Sequence, residues 1–246
     1  MRSPAHSQST HSQLIDAPCG KLEVDALWQA DSTGVANPNA ASVERVAILC
    51  HPNPLQEGTM MNKVVTTMYR FARDQNMHVV RFNFRGVGQS TGEYGNVTGE
   101  IEDALTVLQW IHSQTEARKL WIGGFSFGGF VAAKLAQLVN EQGAFLGVDD
   151  FDITDWALIA PSIEKNDTSD LLLPTAQTFM IYGANDEVIT PSSLQQFGAN
   201  FGIQTHIIDD TGHFFHGKLG ELKQLLEALS SKYLSFYFIL VPDWCL

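Results

Sequence analysis

The residues best suited to covalent chemistry lie in Gly124-Phe125-Ser126-Phe127-Gly128, a G-x-S-x-G match. The apolar run Leu120–Phe125 leads straight into Ser126, and a helical pattern begins at Phe127. So abrupt a change from strand to helix puts the serine in a strained backbone and lifts its hydroxyl off the sheet, while the flanking glycines leave room for neighbouring chain. The position also lies at a helix N-terminus, where free N–H groups favour developing negative charge. The plain alternative is a glycine-rich turn with a capping serine.

A serine hydroxyl is a weak nucleophile and needs an adjacent base, itself oriented by a third group. Of the eight histidines, His6 and His11 lie in the polar N-terminal segment and His112 sits late in a helical pattern. His78 and His206 begin apolar runs, at the wrong end for a shared site. His213 follows the run His206–Asp209 through Thr-Gly and is the expected base, with His216 as fallback. For the acid, Phe179-Met-Ile-Tyr182 leads into Gly-Ala-Asn-Asp186, so Asp186 follows a strand. Its neighbour Glu187 stays open as an alternative. Asp155 precedes its run, and Asp209 and Asp210 read as turn formers.

These positions require a scaffold that brings strand ends together. After an alternating segment at Gly20–Ala30, which predicts an antiparallel strand, short apolar runs occur at Val46–Cys50, His78–Phe84, Leu120–Phe125, Trp156–Ala160, Thr178–Tyr182 and His206–Asp209. Helical patterns fall between them, around 60–75, 99–114, 127–140, 191–200 and 218–233. Buried strands alternating with helices predict an α/β fold with a mostly parallel sheet covered on both faces. In such sheets the working groups gather at the carboxyl ends of the strands.

The 246 residues suffice for one large core. Fifteen Lys+Arg against 27 Asp+Glu give a net charge of −12, which repels phosphate backbones and argues against a nucleic-acid partner. Cys19, Cys50 and Cys245 have no metal-ligand spacing, and Cys50 reads as a small buried hydrophobe. No metal or organic cofactor is implied. The polar start MRSPAHSQSTHSQ has no apolar signal core, and no stretch reaches the roughly 18 apolar residues of a membrane span. A cytoplasmic location is expected. Residues 1–13 read as a disordered tail, 14–233 as a single α/β domain, and 234–246 as an apolar C-terminal extension. Packing on its own domain is the default for that extension, ahead of a dimer interface or membrane contact. Oligomeric state is not readable.

With Ser126, Asp186 and His213 in that order, the chain resembles an α/β-hydrolase, through CHPNPLQEGTMMNKVV, RFNFRGVGQSTGEYG, GGFSFGGFVAA and the pair YGANDEVIT and TGHFF. It is most similar to the small cap-less bacterial branch grouped with dienelactone-hydrolase-like and carboxylesterase-like proteins. Dienelactone hydrolases proper carry cysteine as nucleophile, so Ser126 speaks against their lactone chemistry.

The resemblance implies that Ser126, Asp186 and His213 form a catalytic triad. It also implies an oxyanion hole from the N–H of Phe127 and a second N–H after the strand ending at Cys50. There Pro52 and Pro54 have no N–H, which leaves Asn53, with Leu55 as fallback. His51 reads as a loop-fixing residue. The Arg85–Gly92 loop is one residue off a dinucleotide fingerprint and is taken as structural, shaping the rim of the pocket; Asn83 stands where the family often has aspartate.

Only about 17 residues separate Ala160 from Thr178, too few for a helical lid. Phe125, Phe214 and Phe215 are the candidate substrate contacts, each with core packing as its alternative. The expected function is hydrolysis of small carboxylic esters through an acyl-enzyme. A thioesterase or peptidase with the same triad, or a catalytically silent hydrolase-fold binding module, are the alternatives.

Overall fold

The inner strands are buried along almost their whole length, because helices cover both faces of the sheet in a three-layer arrangement. The structure is a computed structural model and describes residues 11–230. Its strands are β1 (His11–Ala17), β2 (Gly20–Leu27), β3 (Arg45–Cys50), β4 (His78–Phe82), β5 (Lys119–Phe125), β6 (Asp152–Ile159), β7 (Thr178–Gly183) and β8 (Gln204–Ile208). Its α-helices are α1 (Lys63–Asp74), α2 (Thr98–Gln114), α3 (Phe127–Leu146), α4 (Pro191–Phe201) and α5 (Leu219–Ser230). The strands form one eight-stranded sheet in the order β1-β2-β4-β3-β5-β6-β7-β8. β1 and β2 are antiparallel to each other, β2 is antiparallel to β4, and the remaining neighbours run parallel.

The chain steps from β3 outward to β4, then returns past β3 to β5. That reversal makes the carboxyl ends of β3 and β5 a topological switch point, where a crevice opens in folds of this kind. Cys50 lies in register with Gly124 there, so His51–Asn53 and Ser126 emerge side by side.

Successive side chains on a strand point to opposite faces. In β3, Ala47 and Leu49 join a core with α1, α4 and α5, whereas Val46, Ile48 and Cys50 join one with α2 and α3. β5 divides the same way, Trp121 and Phe125 against Leu120 and Ile122. The Trp121 ring covers Gly123, where a Cβ would collide with it. Cys50 is fully buried, and desolvation pushes its thiol well above the usual range.

Several boundaries differ from the sequence reading. β1 begins at His11, so the last residues of the expected tail belong to the sheet. Backbone pairing with β2, from His11↔Ala26 to Ala17↔Gly20, makes this strand. Its polar side chains carry little alternation to announce it. α3 runs to Leu146 and stops where Gly147 adopts the left-handed conformation, φ +69°. β6 starts at Asp152, with a register shift opposite Leu120/Trp121. Residues 1–10 and the C-terminal extension lie outside the described residues. Between β6 and β7 the described chain contains no helix, and no described helix is long and apolar enough to cross a membrane.

Candidate active site

Ser126 follows β5 directly and is the N-cap of α3, with φ +56° and ψ −118°. A non-glycine residue held there costs about 1–3 kcal/mol and needs surrounding structure to enforce it. Its N–H donates to Ile159 O at 2.9 Å, and its carbonyl accepts from Gly129 N at 2.9 Å and Ser162 N at 3.1 Å. The glycines make the turn possible. A Cβ on Gly124 would overlap Gly128 O, and one on Gly128 would overlap the carbonyl oxygens of Cys50 and His51. Because those atoms are backbone, Gly128→Ala is expected to lose about 3 kcal/mol of stability. Urea unfolding midpoints measure this, and an unchanged midpoint refutes the close-approach argument.

His213 lies in the loop after β8 and Asp186 in the loop after β7. His213 Nε2 is 2.9 Å from Ser126 Oγ, and His213 Nδ1 is 2.8 Å from Asp186 Oδ2. The other oxygen, Asp186 Oδ1, accepts the N–H groups of Val188 and Ile189, each at 2.9 Å. An ionised carboxylate accepts only, so Nδ1 carries the proton and Nε2 faces the serine hydroxyl as an acceptor. All three side chains are at least nine-tenths buried, and the Phe125 ring packs 4.9 Å from the imidazole. The structure thus brings Ser126, His213 and Asp186 into one hydrogen-bonded chain. His216 and Glu187, the alternatives, stand outside it. His216 packs toward the Phe214 ring, and Glu187 accepts from the His213 backbone N–H.

The loop after β3 supplies the facing wall. His51 is completely buried; its Nε2 accepts the Phe84 N–H at 3.0 Å and its Nδ1 donates to Pro52 O at 2.7 Å. A backbone N–H can only donate, so the ring is neutral with its proton on Nδ1. Thus His51 ties this loop to the end of β4. Among the described residues no protein acceptor takes the N–H of Asn53 or of Phe127. Leu55 N–H is already bound to Asn53 Oδ1 at 2.8 Å, which removes it as the fallback donor.

The glycine-rich loop that follows Asn83 is tied down internally. Gly86 N–H donates to Thr91 O, Val87 N–H to Phe84 O, Ser90 N–H to Val87 O and Gln89 N–H to Glu23 Oε2. Asn83 accepts from Met60 N–H and donates to Glu23, while Arg85 pairs with Asp103 and Glu102.

The phenylalanines separate into two roles. Phe125 and Phe215 are fully buried and present no surface to a ligand, which corrects their reading as substrate contacts. Each sits where the sheet and the turn of the His213 loop close over the core. Phe214 is 41% exposed. It borders an open cleft of about 420 Å³ together with Glu57, Thr59, Met61, Lys63 and His216. Among the described residues no group of His, Cys, Asp and Glu is arranged to hold a metal ion.

Three buried groups carry large shifts that bear on the range between about pH 6 and pH 4. Burial lowers His51 from 6.5 to about 3 and His78 from 6.5 to about 4, and raises Asp155 from 3.8 to about 6. Between about pH 6 and pH 4 the unfolded chain binds protons on both histidines that the folded chain refuses. The folded chain binds one on Asp155 that the unfolded chain lacks. The balance is one proton in favour of unfolding, so stability falls as pH drops through this window, by about 1.4 kcal/mol per pH unit. His51→Gln removes one of the two opposing histidines and is expected to flatten that slope. Urea titrations at several pH values test it, and an equally steep slope in the variant refutes the assignment to His51.

The sheet order, the strand-to-helix turn at Ser126 and the lidless crossover between β6 and β7 are those of an α/β hydrolase. The family model for the alpha/beta hydrolase fold matches residues 48–142. A protein of Rickettsia prowazekii is 32% identical over 198 residues, covering 77% of this chain and 78% of its own. An α/β serine hydrolase without a lid from Xanthomonas campestris superposes with a TM-score of 0.76 at 31% identity, covering 94% of this chain and 98% of that one. An α/β serine hydrolase homologue from Coxiella burnetii gives a TM-score of 0.73 at 31% identity, over 88% and 95% of the two chains. The chain belongs to the α/β hydrolase family. It is also 30% identical to the chicken lysophosphatidylserine lipase ABHD12 over 118 residues, 48% of this chain and 28% of that protein.

Proposed function

We propose that the protein is a serine hydrolase that cleaves small carboxylic esters through an acyl-enzyme. The observation that carries this reading is the chain from Ser126 Oγ to His213 Nε2 at 2.9 Å and from Nδ1 to Asp186 Oδ2 at 2.8 Å. Ser126 Oγ attacks the ester carbonyl as His213 takes its proton. Asp186 holds the imidazole in the productive tautomer and stabilises the imidazolium. The N–H groups of Phe127 and Asn53 receive the oxyanion; one such donor contributes about 2.7–4 kcal/mol to the transition state. His213 then protonates the departing alcohol, and water, deprotonated by the same imidazole, releases the acid.

The exposed Phe214 beside His213 and the open cleft it borders with Met61 give a small ester an apolar surface to rest on. The similarity to a lysophosphatidylserine lipase points to ester substrates as well. Fluorophosphonate labelling tests the reading, with the site located by peptide mass spectrometry and p-nitrophenyl ester hydrolysis run in parallel. Labelling at Ser126, with both signals lost in Ser126→Ala, is the expected result. A folded wild-type protein that neither labels nor hydrolyses ester would overturn it in favour of a silent binding module.

A further inference from the structure

We propose that Glu187 is a positioning residue for His213, acting on its backbone while Asp186 acts on its ring; this rests on the function proposed above. Glu187 Oε2 accepts the His213 N–H at 3.1 Å, across 26 residues of sequence. Two adjacent carboxylates on the loop after β7 therefore grip the same histidine at two points, Nδ1 and the main-chain nitrogen. With only the Asp186 bond, the imidazole would be oriented but its Cα would be free to move with the loop. The second bond fixes the origin from which the side chain projects.

The surrounding loops are shaped to admit this contact. A Cβ on Gly212, directly before His213, would collide with Glu187 Oε2. A Cβ on Gly183 would strike the carbonyls of Thr211 and Gly212, so glycine there lets the two loops approach. Asn185 N–H donates to Thr211 O at 2.9 Å, holding the same pair of loops together one turn away. Glu187 itself is exposed and makes no ion pair among the described residues, so cementing the fold through charge does not explain it. Among the described residues, its hydrogen bond goes to the residue that faces Ser126 Oγ. Because a misplacement of about 1 Å near reacting atoms costs about 100-fold in rate, a modest anchor at this point has a kinetic effect out of proportion to its stability.

The test compares Glu187→Ala, Glu187→Gln, Gly212→Ala and the double variant Gly212→Ala/Glu187→Ala with wild type. The readouts are the rate of fluorophosphonate labelling at Ser126, kcat and KM on a p-nitrophenyl ester, Tm, and amide hydrogen exchange at His213. Glu187→Ala is expected to slow labelling and lower kcat by about 10- to 100-fold, with KM and Tm little changed and the His213 amide exchanging faster. Glu187→Gln retains an acceptor oxygen and is expected to stay within about threefold of wild type. Gly212→Ala displaces the carboxylate and should match Glu187→Ala, with no further loss in the double variant. Equal losses in the Ala and Gln variants, additive losses in the double variant, or an unchanged His213 exchange rate in Glu187→Ala each overturn the proposal. The exchange measurement needs no turnover, so it decides the Glu187 contact even where wild type proves inactive and the proposed function fails.

Discussion

His213→Ala is expected to lower kcat on a short-chain p-nitrophenyl ester by about a millionfold, while KM moves by less than about tenfold. Residues that act as one unit lose nearly the whole catalytic effect when a single member is removed. Here the unit is physical, because His213 is the only described side chain bonded to both Ser126 Oγ and Asp186. Without the imidazole the serine has no acceptor for its proton, and alkoxide formation at neutral pH is negligible. KM is expected to move little because the substitution removes only the imidazole and leaves the other walls of the site in place. Fluorophosphonate labelling at Ser126 is expected to disappear along with turnover. Retention of more than about 1% of the wild-type kcat would show that another group serves as base. Activity that survives His213→Ala and vanishes in His216→Ala would transfer the role to His216.

Asp186→Asn is expected to cost about 10⁴-fold in kcat with little change in the fold. Asparagine keeps an oxygen for the Val188 and Ile189 N–H groups, so the turn that positions residue 186 survives. The amide NH2 then faces His213 Nδ1 and donates to it. The ring must carry its own proton on Nε2, where it confronts the hydroxyl of Ser126 as a donor and cannot accept. Stability is expected to fall by no more than about 2 kcal/mol, since one hydrogen bond is exchanged for another of opposite direction. The measurement is kcat together with a thermal melt followed by circular dichroism. A loss under tenfold in a folded variant would remove the ring-orienting role from Asp186.

Much of the architecture is legible because its signals are local. Mainly apolar runs of five to seven residues mark β3 to β5 and β7, and the residues after them are those that reach the sheet's carboxyl edge. Ser126, Asp186 and His213 are identifiable by that rule, since each follows a strand directly or after a short turn. β1 escapes it. His-Ser-Gln at its start has nothing to bury, and its partner β2 alone makes it a strand. The short 3-10 turn Pro54–Gln56 is likewise a consequence of Asn53 capping, with Leu55 N–H bound to its side chain.

Phe125, Phe214 and Phe215 show where reading from sequence stops. All three adjoin the candidate site in sequence, and nothing in their type distinguishes them. Strand alternation sends Phe125 into the core beneath the imidazole, and the turn at Phe215, φ +53°, folds that ring inward and leaves Phe214 outside. The same limit applies to the two neighbouring carboxylates. That one of Asp186 and Glu187 meets the ring and the other the main chain depends on the meeting of two loops 26 residues apart.

What the sequence determined by itself is the order of strands and helices from β2 onward, the strained turn at Ser126 and the set of residues able to reach the carboxyl edge of the sheet. Periodicity, glycine spacing and strand-end position are properties of short segments and survive without knowledge of the rest of the chain. The tertiary structure alone decided which rings are covered, which N–H groups remain without a protein acceptor, and which carboxylate oxygen meets which nitrogen. Those depend on distances between segments far apart in sequence, where a shift of about 1 Å separates a hydrogen bond from none.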